Sequence, residues 1–321
     1  MRRWSVAIVM FTAFSLPWFT ASVEAKKDDL PRLPGAVLLL GYPPANLAIT
    51  TEYKTSKLQE EGTDGLITPS ISADGLVVAS ARVAAGEPST SRSRLIVSTY
   101  SMADNKWTEY KDLEIFRGTV AISPDGSKLA CVTRKMADAP SGLHVLDLKT
   151  GKVTVGPELW EMSGTDISWS PDGRRLAFDI GGKADPTPLR AIYILNVETG
   201  SFSKIGQGVA PSWSPSGEWI AYLDYFPDHN DAKLGVAAGN PNRVSLMRPD
   251  GTDSKVLLTY HRLEALMVAP VWSPDSKTIL INRLRDIDKD TFDIYMLDLA
   301  TLKLTKKFKN TPPVYAWVEA K

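Results

Sequence analysis

One five-residue motif recurs along the chain and constrains its fold more than any other feature. The complete form is Trp-Ser-Pro-Asp-Gly at residues 169–173, and four other segments match most of it. The serines of the five motifs are 51, 47, 44 and 59 residues apart, and Trp317 follows 45 residues after the last motif's tryptophan. A period of 20–50 residues is typical of repeat architectures. The motifs begin at Ile71, Ile122, Trp169, Trp213 and Trp272.

The chemistry of the motif indicates a tight β-hairpin turn. A serine hydroxyl can hydrogen-bond the turn backbone, and proline fixes φ near −65° at the next position. Aspartate suits the third position, and glycine adopts positive φ at the fourth without steric cost. The motif therefore predicts a type I turn followed by a glycine bulge.

Each motif is followed by an apolar strand and then by a second hairpin signature. In one unit, for example, the alternating segment Leu143–Asp147 leads into Lys149-Thr150-Gly151. Each unit thus contains four antiparallel strands, A to D, with tight A–B and C–D turns and a longer B–C loop. Units of this kind are the blades of a β-propeller. A parallel βαβ fold is disfavoured because no unit contains a ten-residue helical period.

The two chain ends supply complementary parts of one further blade. The segment Val314–Val318 has the pattern of a strand A, whereas Ala36–Leu40, Leu47–Tyr53 and Thr55–Leu58 have the pattern of strands B, C and D. Joining them removes two exposed sheet edges. The sequence therefore predicts an all-β fold, a six-bladed β-propeller of four-stranded antiparallel blades, with the sixth blade closed by strands from both termini.

The N-terminal residues have the layout of a secretory signal peptide. Arg2 and Arg3 precede an uncharged apolar run of 17 residues, Trp4–Thr20, and the next five residues, 21–25, have small side chains at the last position and three before it. We predict cleavage after Ala25, leaving one propeller domain over residues 26–321 that is exported to the periplasm or secreted. The alternative is an uncleaved membrane anchor, which needs ~20 apolar residues. No transmembrane segment is expected in the mature chain.

Composition argues against several functional classes. The 37 basic and 37 acidic residues give a formal net charge of zero, so nucleic acid is not an expected partner. The single cysteine, Cys131, cannot form an intrachain disulfide and is expected to be a small apolar filler. The chain has only three histidines, so a metal site or acid–base centre with several imidazole groups is not expected.

The Trp-Ser-Pro-Asp-Gly turn followed by Leu176-Ala177-Phe178 resembles the WD-like propeller repeats of the TolB family. Five of the six units match, over roughly residues 36 to 318. The resemblance implies a six-bladed propeller with strand-exchange closure. TolB is a periplasmic partner of an outer-membrane lipoprotein and carries an α/β domain before its propeller. That domain is expected to be missing here, as is the peptidase domain that follows similar propellers in the prolyl-oligopeptidase family.

The variable loops carry the candidate binding residues. The longest B–C loop spans Asp224 to Arg243, and a 20-residue irregular loop is often functional, although an insertion without a role is the alternative. Aromatic and arginine side chains dominate the energetics of protein interfaces. The candidates in the B–C loop and the D–A segments are Trp160, Tyr225, Phe226, Asp228, His229, Tyr260, His261 and Arg262.

A calcium site is the weaker hypothesis for another stretch, Arg285–Asp293. Asp286, Asp288 and Asp290 alternate as ligands do in calcium loops, but the loop glycine and the final glutamate are missing. The default interpretation is a solvated B–C loop, and no other cofactor is expected.

The sequence leaves three functions open. The first is a monomeric, non-catalytic exported propeller that binds a protein or peptide through its B–C and D–A loops. The second is a propeller enzyme of the lyase or hydrolase type, with an acidic calcium site at the central mouth. The third is carbohydrate binding by exposed aromatic side chains on the loops.

Overall fold

The computed structural model describes most of the chain from Pro31 to Ala320. The described ranges are 31–42, 46–51, 55–58, 67–83, 95–115, 120–134, 141–159, 166–180, 190–224, 241–260, 266, 268–286 and 291–320. They form six four-stranded antiparallel sheets, and the predicted all-β propeller is confirmed. The predicted signal peptide lies outside these ranges and stays a prediction.

The described residues contain 24 strands. In chain order they are β1 (Ala36–Tyr42), β2 (Asn46–Thr50), β3 (Thr55–Lys57), β4 (Ile67–Ile71), β5 (Val77–Val83), β6 (Leu95–Ser101), β7 (Lys106–Ile115), β8 (Val120–Ile122), β9 (Lys128–Arg134), β10 (Ser141–Asp147), β11 (Val153–Leu159), β12 (Ile167–Trp169), β13 (Arg175–Ile180), β14 (Ala191–Asn196), β15 (Phe202–Gln207), β16 (Val209–Trp213), β17 (Ile220–Asp224), β18 (Arg243–Met247), β19 (Lys255–Thr259), β20 (Val271–Trp272), β21 (Thr278–Asp286), β22 (Thr291–Asp298), β23 (Leu304–Thr311) and β24 (Val314–Glu319).

Consecutive groups of four strands form blades 1 to 5, from β4–β7 to β20–β23, and each group runs in the order A to D. Blade 6 has the order β24-β1-β2-β3, so its strand A comes from the C-terminus and its other strands come from the N-terminus. Val37 lies opposite Val318 and Leu39 opposite Ala316. The predicted closure by both chain ends is therefore confirmed.

The six A strands contact one another in a closed cycle, β4–β8–β12–β16–β20–β24 and back to β4. The buried apolar side chains of the described residues form six clusters, and each cluster lies between two neighbouring blades. Cys131 belongs to the cluster between blades 1 and 2, where burial raises the pKa of its thiol to about 12. It is an apolar filler, as predicted.

The repeated tryptophans join neighbouring blades. The Trp169 indole Nε1 donates to the carbonyl oxygen of Ala121 in the preceding strand A, at 2.9 Å. Trp272 donates in the same way to the carbonyl oxygen of Ser212, also at 2.9 Å. Each of these indoles is buried and satisfies its one polar group across a blade boundary. This placement explains the tryptophan in blades 3 and 5. In blade 4 the Trp213 indole Nε1 instead donates to the Gly217 carbonyl of its own turn at 3.3 Å, and blades 1 and 2 have isoleucine at this position.

The repeated turn has the predicted hydrogen bonds. Ser123 is buried, its hydroxyl donates to the Asp125 carboxylate at 2.6 Å, and it accepts the Lys128 N–H at 2.8 Å. Gly126 has φ +72° and donates its N–H to the Ser123 carbonyl at 2.9 Å. Partial burial raises the pKa of Asp125, but hydrogen bonds from Ser123 and Ser127 outweigh it and hold the pKa below its ordinary value.

The prediction of a solvated loop over Arg285–Asp293 is wrong for most of that stretch. Strand β21 continues to Asp286 and β22 begins at Thr291, so only residues 287–290 connect them. Phe292 is buried in the cluster between blades 5 and 6. Asp293 is also buried, and its carboxylate accepts hydrogen bonds from Lys306 Nζ at 2.7 Å and from the Asn310 N–H at 3.2 Å. These two donors across the sheet allow an acidic residue inside a strand.

Candidate functional site

The propeller presents two different faces. The A–B and C–D turns lie together at one end of the strands, which we name the turn face. In blade 3, for example, the turn residues 170–174 and 197–201 lie there. Strand β13 ends and β14 begins at the opposite end, where the B–C and D–A segments connect the strands; we name that end the loop face. In chain order, the candidate binding residues fall in the predicted B–C and D–A segments.

Tyr260 is the one predicted binding residue that falls within the described ranges. It is buried, with 8% of its surface exposed, and belongs to the cluster between blades 4 and 5. Its side chain therefore packs at the base of the loop face. The other candidates lie outside the described residues and stay predictions; they are Trp160, Tyr225, Phe226, Asp228, His229, His261 and Arg262.

Backbone hydrogen bonds join the bases of two loop-face segments. Asn242 donates its N–H to the Asp224 carbonyl at 3.0 Å, and its own carbonyl accepts the Tyr260 N–H at 2.7 Å. The Leu266 N–H donates to the Pro241 carbonyl at 3.2 Å, and Leu266 is fully buried. The described residues that flank positions 225–240 and 261–265 are thus joined to one another. We name Pro241, Asn242, Tyr260 and Leu266 the loop anchor.

An ion pair strengthens the same base. Asp224 and Arg243 lie opposite each other in β17 and β18, and the Arg243 guanidinium contacts the Asp224 carboxylate. Their side chains are 18% and 20% exposed, so the pair is partly shielded from solvent. These two residues begin and end the predicted 20-residue loop. Their place as loop boundaries could be predicted from the sequence, but their pairing could not.

Blade 3 carries a buried carboxylate near its loop-face end. Asp179 Oδ1 accepts the Asp166 N–H at 2.8 Å, and Arg190 Nη2 lies 2.8 Å from Asp179 Oδ2. Burial raises the pKa of Asp179 to about 7; Arg190 lowers it, while the charge of Asp166 raises it further. The sequence does not reveal this group, because its three members meet only in the folded blade.

The calcium hypothesis stays a prediction. Asp286 is the last residue of β21, while Asp288 and Asp290 lie outside the described residues. Within the described ranges, no three His, Cys, Asp or Glu side chains come together as a metal site. His144 is half-buried in β10, where burial lowers the pKa of its imidazole.

The turn face contains a shallow cavity between blades 3 and 4. Its volume is about 440 Å³, and it is lined by Arg175, Glu218, Arg248, Pro249, Asp250, Thr252 and Asp253. The Arg248 guanidinium lies 4.0 Å from the ring centroid of Trp219, and Lys255 Nζ lies 4.5 Å from it. The lining contains charges of both signs, and Arg248 is paired with Glu218 and Asp253. The lining therefore carries two positive and three negative side chains, and its arginine Arg248 is already paired within the protein.

No helix long and apolar enough to cross a bilayer occurs in the described part of the chain.

No protein-family model matches the sequence. Two curated proteins are similar to parts of it. An uncharacterized peptidase, YuxL, of Bacillus subtilis is 37% identical over 109 residues, which is 30% of this chain and 16% of that protein. The uncharacterized protein Atu1656 of Agrobacterium fabrum is 27% identical over 161 residues, or 48% of this chain and 50% of that protein. The chain therefore matches half or less of the length of these relatives.

Solved propeller structures resemble the whole ring. TolB from Acinetobacter baumannii matches with a TM-score of 0.63 and 16% identity, covering 88% of this chain and 66% of that one. A putative TolB from Agrobacterium tumefaciens matches with a TM-score of 0.58 and 15% identity, covering 88% and 92%. The fold is that of a TolB-type propeller. An oligogalacturonate lyase from Vibrio parahaemolyticus also matches, with a TM-score of 0.54, 14% identity and 86% and 80% coverage. At these identities the likeness concerns the fold alone.

Proposed function

We propose that this protein is an exported, non-catalytic propeller that binds a protein or peptide partner through its loop face. The observation that carries the proposal is the loop anchor. It fixes the bases of two neighbouring variable segments to each other and to the core of blades 4 and 5. Binding residues often lie on loops that a rigid scaffold positions, because the scaffold reduces the entropy lost on binding.

The residue types of the two segments fit a protein partner. Segment 225–240 contains Tyr225, Phe226 and His229, and segment 261–265 contains Arg262. Aromatic and arginine side chains are enriched among the residues that dominate interface affinity. The turn face offers a poorer surface, because its turns repeat one stereotyped set of hydrogen bonds in successive blades.

The test is partner capture by the full mature chain from the exported fraction. The binding panel changes Tyr225, Phe226, His229 and Arg262 to alanine, and the control panel changes the exposed turn-face residues Lys149, Lys152 and Thr199. We expect the binding panel to reduce retention of the partner at least about tenfold, as for interface hot spots, while the melting temperature stays nearly constant. Full retention by the binding panel, or loss with the control panel, would overturn the proposal.

Export is tested separately. N-terminal sequencing of the protein recovered outside the cytoplasm should begin at Lys26, because the residues before it have the order of a cleavable signal. An intact N-terminus in the membrane fraction would contradict export of a cleaved form.

A further inference from the structure

The outermost strand of blade 5 carries an excess of positive charge. Strand β23 and the residue before it contain four lysines and no acidic residue, in a chain whose formal net charge is zero. The equivalent strand of blade 1, β7, instead mixes lysines with acidic residues in the sequence KWTEYKDLEI. We name the lysines the β23 ridge; they are Lys303, Lys306, Lys307 and Lys309.

Nearby carboxylates neutralise little of this charge. Lys306 Nζ lies 2.7 Å from the Asp293 carboxylate, and Arg285 shares the same oxygen at 3.4 Å. The Asp293 side chain is only 2% exposed and lies beneath two cations that are each about 40% exposed. Lys303, Lys307 and Lys309 are exposed, and none has an ion pair within the described residues. Among the described residues, the ridge therefore presents three exposed positive charges without an ion-pair partner.

The backbone of β23 limits how a partner can bind there. The strand is the last of its sheet, so no other strand of the described residues covers its outer edge. Register shifts interrupt its pairing with β22 on both sides of Ile294, and Asn310 has φ +56°. Bulges and lysines on an edge strand discourage the addition of a further strand. The lysine side chains, and not the strand's backbone, are therefore the groups that this edge offers for recognition.

We propose that the β23 ridge binds an extended acidic segment of a partner protein. Lys307 and Lys309 are two residues apart along β23, a separation of at most about 7 Å because the register shifts beside Ile294 interrupt the regular strand there. An extended peptide with acidic residues at alternate positions repeats its charges about every 6.8 Å, which is within reach of these flexible lysine side chains. The ridge lies on the outer rim of blade 5, so it is a second interaction surface, separate from the loop face. The competing explanation is that the lysines only prevent edge-to-edge association.

The experiment uses the full mature chain and a fluorescent peptide of about twelve residues in which aspartate and serine alternate. The ridge variant carries Lys303→Gln, Lys307→Gln and Lys309→Gln. The matched control carries Lys149→Gln, Lys152→Gln and Lys204→Gln, three exposed lysines of blades 2 and 3 that give the same change in net charge. Binding is followed by fluorescence anisotropy between about 50 and 200 mM salt, where charge-driven binding to polyanions changes steeply.

We expect the ridge variant to bind the peptide about tenfold more weakly, because three exposed ion pairs are lost, and its affinity to fall less steeply with salt than that of the wild type. The control should bind as the wild type does. Absence of binding by the wild type, or an equal loss in the control, would overturn the ridge as a site. Tighter binding of heparin or of a peptide with its aspartates in one block would overturn the extended protein segment as the ligand. The loop-face panel leaves this binding unchanged, so the two proposals fail independently.

Discussion

The amide of Asn282 holds the C-terminal strand against blade 5, and removing it should destabilise the ring. Asn282 lies in β21 and is 1% exposed. Its Nδ2 donates to the Val314 carbonyl at 2.9 Å, and its Oδ1 accepts the Val314 N–H at 2.8 Å. Val314 is fully buried at the first position of β24, the strand that closes blade 6. One side chain thus satisfies both polar groups of a buried backbone unit.

Asn282→Ala would leave both Val314 groups without that partner. Each unsatisfied buried group costs about 1–3 kcal/mol, so we expect the free energy of unfolding to fall by about 3 kcal/mol. For a chain of this size, that loss lowers the melting temperature by roughly 6 °C. Asn282→Asp keeps the shape but places an oxygen against the Val314 carbonyl, so it should destabilise at least as much.

Urea denaturation and thermal melting of the full mature chain measure the effect, and Asn196→Ala is the control. Asn196 also accepts two backbone hydrogen bonds, from Glu198 and Thr199, but it does so in an exposed turn where water replaces it. The control should lose about 1 kcal/mol or less. If Asn282→Ala melts like the wild type, or no lower than the control, the amide does not secure the closing strand.

Three further predictions concern turns. Leu302 has φ +54° and is 55% exposed, at a position where other blades carry glycine. Leu302→Gly should therefore raise the free energy of unfolding, measured by urea denaturation, by about 0.5–1 kcal/mol. A destabilised variant would contradict this. A Cβ at Gly251 would lie 2.3 Å from the Ile205 carbonyl oxygen, whereas a Cβ at Gly151 would have no atom of a non-neighbouring residue within 4 Å. Gly251→Ala should therefore lower the melting temperature more than Gly151→Ala does. Equal melting temperatures would refute the steric reason. Hydrogen bonds from the threonine three residues later hold the pKa of Asp298 below its ordinary value, so its stabilisation is complete above the unfolded pKa near 4 and is lost as pH falls through the folded value. Stability of Asp298→Asn should therefore fall less steeply with acid, and an identical pH profile would exclude that contribution.

The fold could be predicted because each repeat contains the same short turn motif, whose hydrogen bonds form between residues close together in the sequence. The buried serine, the aspartate and the positive-φ residue of the turn act within six residues, so the sequence alone specifies them. The exception Ser276 shows how strong that preference is, because it adopts φ +60° where other motifs have glycine. Closure of the ring was predictable for the same reason, since each chain end carries the part of a blade that the other lacks.

The features that could not be predicted depend on residues that meet only after folding. Asp293 made its segment resemble a solvated loop, but Lys306 and Asn310 satisfy its carboxylate across the sheet. Asp179 and Arg190 are separated along the chain by the B–C segment of blade 3, and no local pattern marks them as partners. Tyr260 has the aromatic ring that is typical of interface residues, yet it is buried in the cluster between blades 4 and 5.

The most direct test of the proposed loop-face function is a hydrogen-exchange footprint of the captured partner on the full mature chain. We predict slowed exchange in peptides covering residues 225–240 and 261–265, which adjoin the loop anchor. Peptides containing the turns at Ser123–Lys128 and Ser170–Arg175 should exchange at the same rate with and without partner. Protection confined to those turns, with the two loop segments unaffected, would contradict binding by the loop face.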